Sequence, residues 1–507
     1  MYKIQKKPLI LQKNEHFIYY INNQYKIHNS QQNAQLYTLL IQKRETNYYF
    51  CQKFSKTSTM KVGIDSIAFD LPKIHLSIKN LAENRNIEPD KLIKGLGLQK
   101  MSFPDVHQDV ITFAANAVYK LIIQENLLPS QISRIYVGSE SGLDASKPIA
   151  SYIIGLLEQQ FGGGTFNRCD VVDLTFACIG AVDALQNNLD YIRLNPTKKA
   201  IVVATDSAKY DLQSGGEYTQ GAGAIALLLT ANPRILAFSN HFGVSSQGVF
   251  DFFKPRRYFS KNDILNTNEN PEWCGILENE VAFYKEQPVF DGQYSNQCYI
   301  DRITEAYYNF KKESNQTKTV FETWENILMH LPYCFQARRT FVEIYAQENL
   351  GLSTQATDYK EQIKTISKSE AYLLFVNKTI YPSEIASGQV GNLYTGSIFL
   401  GLLSTLCHHF DNKSDIVGKK MGFIAYGSGS KSKVFEAEIQ VGWQDAVGSS
   451  YLFETLAKTH EIDFETYLKL HKKEQKESVL QPHNEFSLDK IESENPLLLG
   501  ARYYSFK

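Results

Sequence analysis

Cys178 lies in the string DLTFACIGAVDALQNNL, where a short apolar run gives way to Ala181, Ala184, Leu185 and Leu189 at helical spacing. The thiol is therefore expected at a strand-to-helix turn, against the free amides and positive end of a helix, which favour thiolate over thiol and make a nucleophile. Most cysteines are small buried hydrophobes, so this position alone does not decide the matter. Glu140, in YVGSESGLDASK, follows the apolar run 134–138. Strand ends in α/β sheets open onto ligand crevices, although a solvated loop carboxylate is the plain alternative. His330, in LMHLPYCFQARR, follows apolar residues 327–329 and suits either a satisfied core histidine or an acid–base group. Two Gly/Ser loops, 388–397 (GQVGNLYTGS) and 426–430 (YGSGS), adjoin apolar runs. Such loops bring backbone amides close to a ligand or an oxyanion, and each could equally be a turn.

These residues need a frame, and the patterning supplies one. Residues 61–69 (KVGIDSIAF) read as a strand, and 110–124 as a helix with Val110, Ala114, Ala117, Val118 and Leu121 on one stripe. Runs 134–138, 200–204, 223–229 and 422–426 are further apolar strands. Apolar strands alternating with helices indicate an α/β sheet covered on both faces. Residues 256–287 are polar and aromatic, with Asn266, Asn268, Asn270 and Pro271 as turn material, and read as a surface insertion. The tail 442–507 is charged and reads as helical, packed on the outside.

Composition excludes several classes. In 507 residues with 43% hydrophobic content, no apolar run is long enough to span a membrane. A net charge of −1 offers no bulk attraction to nucleic acid or anionic lipid. Seven cysteines scattered without a CxxC pair suit reduced thiols in the cytoplasm, and no ligand spacing announces a metal. Residues 1–59 differ from the rest: nine Lys/Arg against two acids give +7, no Gly occurs, and the remainder of the chain carries −8. Neither a secretory leader nor an Arg-rich transit peptide fits this stretch, which reads as a polar basic extension, poorly ordered.

Taken in order, 137–147 (VGSESGLDASK), 206–223 (DSAKYDLQSGGEYTQGAG), 330–333 (HLPY), 391–397 (GNLYTGS) and 426–429 (YGSG) resemble the hydroxymethylglutaryl-CoA (HMG-CoA) synthase family, most nearly its bacterial branch. The resemblance implies a thiolase-like αβαβα fold of two similar halves, 60–233 and 234–507, in a homodimer. It implies Cys178 as nucleophile, Glu140 as general base and His330 as the group that polarises a ketone. Acetyl-CoA and acetoacetyl-CoA would be substrates, with no cofactor. Asn392, Gly427, Ser428, Arg338 and Arg339 are the substrate-binding candidates, the two arginines equally readable as a solvated helix face. Ile179 departs from the family's usual tyrosine, and Phe335 stands where a lysine that meets CoA phosphates is common. Two other readings stay open. One is a β-branching or ketoacyl-synthase-III-like enzyme working on a carrier protein through Cys178, His330 and Asn392, a set that has no use for Glu140. The other is a non-catalytic relative, which leaves three filled chemical positions unexplained.

Overall fold

The main sheet is built from two sets of strands with the same internal logic. The computed structural model describes residues 60–448 and 450–507, and the expectation for 1–59 lies outside them. In the main sheet the strands are β1 (Val62–Asp70), β2 (Ile132–Gly138), β3 (Asp170–Leu174), β4 (Lys199–Ser207), β5 (Ala222–Ala231), β6 (Leu236–Phe238), β7 (Gly243–Ser246), β8 (Trp324–Met329), β9 (Lys420–Gly427) and β10 (Lys431–Ile439). Their order is β8-β9-β10-β6-β1-β5-β4-β2-β3, with β7 beside β10. From β1 outward the pairings run antiparallel, antiparallel, parallel, parallel. From β6 outward they run antiparallel, antiparallel, parallel. The antiparallel contact of β1 with β6 joins the two sets, so the chain holds two similar halves.

Strand periodicity explains the layers. In β4, Ala200, Val202 and Ala204 face one core while Ile201 and Val203 face another; β5 divides Ile225, Leu227 and Leu229 from Ala224, Ala226 and Leu228 in the same way. The outer face of the first half carries helices α1 (Val110–Gln124) and α2 (Ile149–Phe161). Helix α1 starts where Asp109 accepts from the amides of Ile111 and Thr112, a capping box that satisfies two otherwise unpaired donors. The middle layer is α3 (Gly180–Leu194) and, from the second half, α6 (Ser397–Asp411). Helices α4 (Gly292–Glu313) and α5 (Gln336–Leu350) cover the other outer face. Five layers result, the thiolase-like arrangement the motifs imply.

The tail departs from its expected form. It holds three short helices, Trp443–Val447, Leu452–Ala457 and Phe464–His471, but ends in an antiparallel hairpin of Phe486–Ile491 with Arg502–Phe506. Much of it serves the first half: Phe486 is fully buried with the α1 core, and His460–Glu461 pairs with Ile74–Ser77. A boundary at 234 therefore divides the strand sets but not the packing, because apolar side chains spaced through a charged segment found a face far back in the chain. Within the insertion, Arg257–Ser260 pairs with Glu280–Phe283 as a largely exposed hairpin, though Lys261 and Val281 are buried. Among the described residues no helix is long and apolar enough to cross a membrane.

Close approach of β2 to α3 sets the site. A Cβ on Gly138 would lie 2.1 Å from the amide nitrogen of Ala181, so only glycine lets the strand end meet the helix start. Gly138→Ala is expected to destabilise the fold by about 1–3 kcal/mol, the usual cost of overpacking. Gly163→Ala, with nothing within 4 Å of the new methyl, is the control and should change stability by under about 0.5 kcal/mol in urea unfolding.

Candidate active site

Cys178 sits in the turn between β3 and α3. Ala177, just before it, has φ of 39°, the left-handed region that a residue with a side chain rarely adopts. Gly427, at the end of β9, packs on this turn so closely that a Cβ would be 2.7 Å from both the Phe176 carbonyl and Ile179 Cγ2. Each half thus delivers one strand end to the cysteine. Ile179 is fully buried there and anchors the turn by packing.

The Cys178 thiol donates to Glu140 Oε2 across 3.5 Å. The other carboxylate oxygen, Oε1, pairs with Lys254 at 3.0 Å. Behind Glu140 stands Asp206, fully buried. It accepts from the Glu140 amide at 2.9 Å, from Ser139 Oγ and Ser141 Oγ, and from the amide and hydroxyl of Thr395. Burial, and next the charge of Glu140, push the Asp206 carboxyl up to about 7. Burial also lifts the Cys178 thiol well above its ordinary value, with Glu140 and Asp206 adding to the effect and Lys254 opposing it. The expectation of a resting thiolate at a helix N-terminus is therefore corrected. A helix dipole falls off within a turn, and here two carboxylates face the sulfur.

His330 follows the end of β8, on the opposite side, with its backbone amide donating to the Ile424 carbonyl. Its Nδ1 lies 3.0 Å from Ser397 Oγ, whose own proton goes to the Tyr394 carbonyl at 2.7 Å. Nδ1 consequently carries the ring proton and Nε2 is the acceptor. Burial lowers the ring to about 3, so the imidazole rests neutral. Cys178, His330, Asn392, Tyr394 and Ser428 line one cavity of about 270 Å3, with exposed Arg339 at its rim. Asn392 accepts from the Tyr394 amide at 2.8 Å.

Not every candidate belongs here. Arg338 forms an ion pair with buried Glu384 and lies over the Phe335 ring at 3.8 Å, so its charge is spent inside the fold. Gly427 contributes by close packing on the Cys178 turn. Lys254, Asp206 and Asp251 were not singled out from sequence. Asp251 is fully buried and accepts from Tyr426 Oη at 2.6 Å and the Gly429 amide at 2.7 Å, holding the 426–430 loop. The string DFFKP, beside the stretch taken for an insertion, places an acid and a base next to aromatic residues, the one available signal for this pair. Among the described residues no group of three or more His, Cys, Asp and Glu is placed to hold a metal ion.

A thiol, a carboxylate and an imidazole brought together where two similar halves of a five-layer fold meet define an acyl-transferring enzyme of the thiolase class. Comparison narrows this. Residues 58–234 match the family model of hydroxymethylglutaryl-coenzyme A synthase N terminal, and 277–490 that of the C terminal. The hydroxymethylglutaryl-CoA synthase of Haloferax volcanii is 31% identical over 456 residues, 84% of this chain and 96% of that protein. That of Enterococcus faecalis is 31% identical over 387 residues, 76% and 85% of the two chains. A solved structure of MvaS in complex with 3-hydroxy-3-methylglutaryl coenzyme A is similar with a TM-score of 0.74 at 26% identity, covering 89% of this chain and 100% of that one. The chain belongs to the hydroxymethylglutaryl-CoA synthase family. The gap between the two matched segments, 235–276, takes in much of the surface insertion.

The raised thiol has a measurable consequence. Alkylation of Cys178 by iodoacetamide, followed by mass spectrometry, is expected to keep rising with pH well past neutrality, without a plateau near pH 7. Glu140→Ala removes one of the charges that oppose the thiolate and should move the rise to lower pH.

Proposed function

We propose that this enzyme condenses acetyl-CoA with acetoacetyl-CoA and water to give 3-hydroxy-3-methylglutaryl-CoA and CoA. The observation that carries the reading is the 3.5 Å contact between Cys178 Sγ and Glu140 Oε2, beside a cavity shared with His330. Cys178 attacks the acetyl thioester, its proton leaves with the CoA sulfur, and an acetyl-cysteine remains. The acetyl methyl then lies where the thiol proton pointed, against Glu140, which removes a methyl proton. The enolate carbon adds to the ketone of acetoacetyl-CoA. The developing alkoxide takes up the proton that Glu140 removed from the methyl group, relayed through the Nε2 lone pair of His330, whose Nδ1 carries the other ring proton. Burial then makes His330 a strong donor, since the charged ring is disfavoured there. Backbone amides near Cys178 and Ser428 stabilise the oxyanions, and Asn392 helps to seat the thioester. Water releases the product from the cysteine. Arg339 at the rim would meet CoA phosphates, while Phe335 packs under Arg338. No step calls for a metal or redox cofactor.

The cytoplasm suits six described cysteines that are all free thiols. A homodimer is supported by β3, which ends the strand order and has no strand partner on its outer edge among the described residues. Exposed sheet edges are usually covered, and a second copy of β3 would do so. The mass in solution should be twice that of the chain. Val172→Glu, at an exposed position of that strand, should shift it toward the monomer.

Acetylation and condensation should separate by mutation. Cys178→Ser is expected to abolish acetyl-enzyme while keeping the fold, because the change is nearly isosteric. Glu140→Ala loses an acceptor for the thiol proton but also a charge that opposes the thiolate, so acetylation should persist. Condensation should fall by roughly two to four orders of magnitude. Radiolabelled acetyl-CoA, with protein-bound label and HMG-CoA counted in the same samples, checks both. Equal loss of the two activities in Glu140→Ala would remove Glu140 from the role of base.

A further inference from the structure

Among the described residues, Lys254 is the one basic side chain placed against the Glu140–Cys178 pair. Its ammonium lies 3.0 Å from Glu140 Oε1 and 3.4 Å from the Glu140 carbonyl oxygen, so it grips both ends of the residue. The two carboxylate oxygens are thereby divided: Oε1 faces Lys254 and Oε2 faces the sulfur. Both side chains are deeply buried, 12% and 6% exposed. On another side the ammonium sits 4.5 Å from the centre of the Tyr394 ring, a cation–π contact that fixes it without a competing carboxylate.

The backbone around Lys254 is held as firmly. Phe252–Phe253 pairs with Val289–Phe290, and the rings of Phe252 and Phe290 pack together. Between that pair and the exposed hairpin, the limb 284–286 is tied down by Lys285 to Asp211 at 2.7 Å and by Glu286 to both Lys209 and Lys473. Tyr284, on the same limb, interacts with Lys254 and Glu140. The charge count gives this arrangement its use. Glu140 and Asp206 put two carboxyl groups beside one sulfur in a place with little water, and a buried carboxylate without a counter-charge takes up a proton. A protonated Glu140 could not accept a proton from the acetyl methyl.

We propose that Lys254 is a positioning residue for the condensation: it keeps Glu140 ionised and turns Oε2 toward the acetyl group on Cys178. This rests on the reaction proposed above. Lys254 touches neither acetyl group nor sulfur, so its effect passes through Glu140. The groups that face the Glu140–Lys254 pair from the surrounding elements are Cys178, Asp206, Tyr210, Tyr284 and Tyr394. Acetylation takes Cys178 out of titration, and the tyrosines titrate above the range of interest, which leaves Asp206 as the other acid in that window. The measurement is therefore the displacement between variants.

The test uses the full chain, pre-acetylated with acetyl-CoA and mixed in single turnovers with acetoacetyl-CoA over a range of pH. Lys254→Met is expected to retain acetyl-enzyme formation and to condense roughly ten- to a hundredfold more slowly, the scale for a misplaced reacting group. The acidic limb of its rate profile should move up by about one pH unit or more, since loss of a nearby cation raises a carboxyl. Lys254→Arg keeps the charge and should hold the limb near its wild-type position, and Lys254→Gln is the second neutral variant. An unmoved limb in Lys254→Met and Lys254→Gln, or an equal displacement in Lys254→Arg, would overturn the proposal. Loss of folding or of acetylation in both neutral variants would overturn it too, by making Lys254 a structural strut or a part of the first step. Failure of the wild-type acetyl-enzyme to yield HMG-CoA would instead refute the reaction itself.

Discussion

Asp206 is the buried group on which the site depends. Its two oxygens accept hydrogen bonds from Ser139, Glu140 and Ser141 at the end of β2 and from Thr395 ahead of α6. One side chain thus ties the Glu140 loop of the first half to the GNLYTGS loop of the second. A buried carboxyl without partners would cost far more than any packing here returns, whereas five donors from two directions satisfy it. The backbone of Glu140 is oriented by the same bonds. Disturbing Asp206 would loosen both loops together, because five of their hydrogen bonds end on it.

Around that anchor, desolvation works in several ways at once. It holds Cys178 as a thiol, His330 as a neutral ring and Asp206 near the point where it exchanges its proton at neutral pH. Lys254 is the exception, a buried cation whose charge is favoured, against the cost of burial, by Glu140. The resting enzyme is therefore a set of mostly neutral acids around one ion pair. Such a site moves protons over short distances when an acetyl group arrives, and a low-dielectric surrounding strengthens each charge that then develops.

The duplicated architecture explains why the catalytic groups come from so far apart. β2 pairs parallel with β4 in the first half and β9 parallel with β8 in the second, and their ends, carrying Gly138 and Gly427, converge on the turn of Cys178. β8 brings His330 to the same cavity from the far half. Pairing β1 with β6 at the seam leaves these ends facing one another, so the cavity follows from the sheet order.

The amino-acid sequence by itself determined several strands of the main sheet, the helices α1 and α3 and the motif set that marks the family. Apolar runs, an apolar stripe at 110–124 and the strings around Glu140, Cys178 and His330 are local features, written in consecutive residues. Tertiary structure alone decided what those residues meet. A helix start at Cys178 suggested a thiolate, but carboxylates from distant strands reverse that, since a pKa depends on every charge within a few ångströms and not on neighbours in the chain. Arg338 looked as available as Arg339 until Glu384, 46 positions away, claimed it. The tail looked like an outer helical coat until Phe486 found the core beside α1. Lys254 carried only the faint signal of the DFFKP string, because its importance lies in a 3.0 Å contact with a residue 114 positions earlier in the chain, and long-range proximity is a property of the folded state.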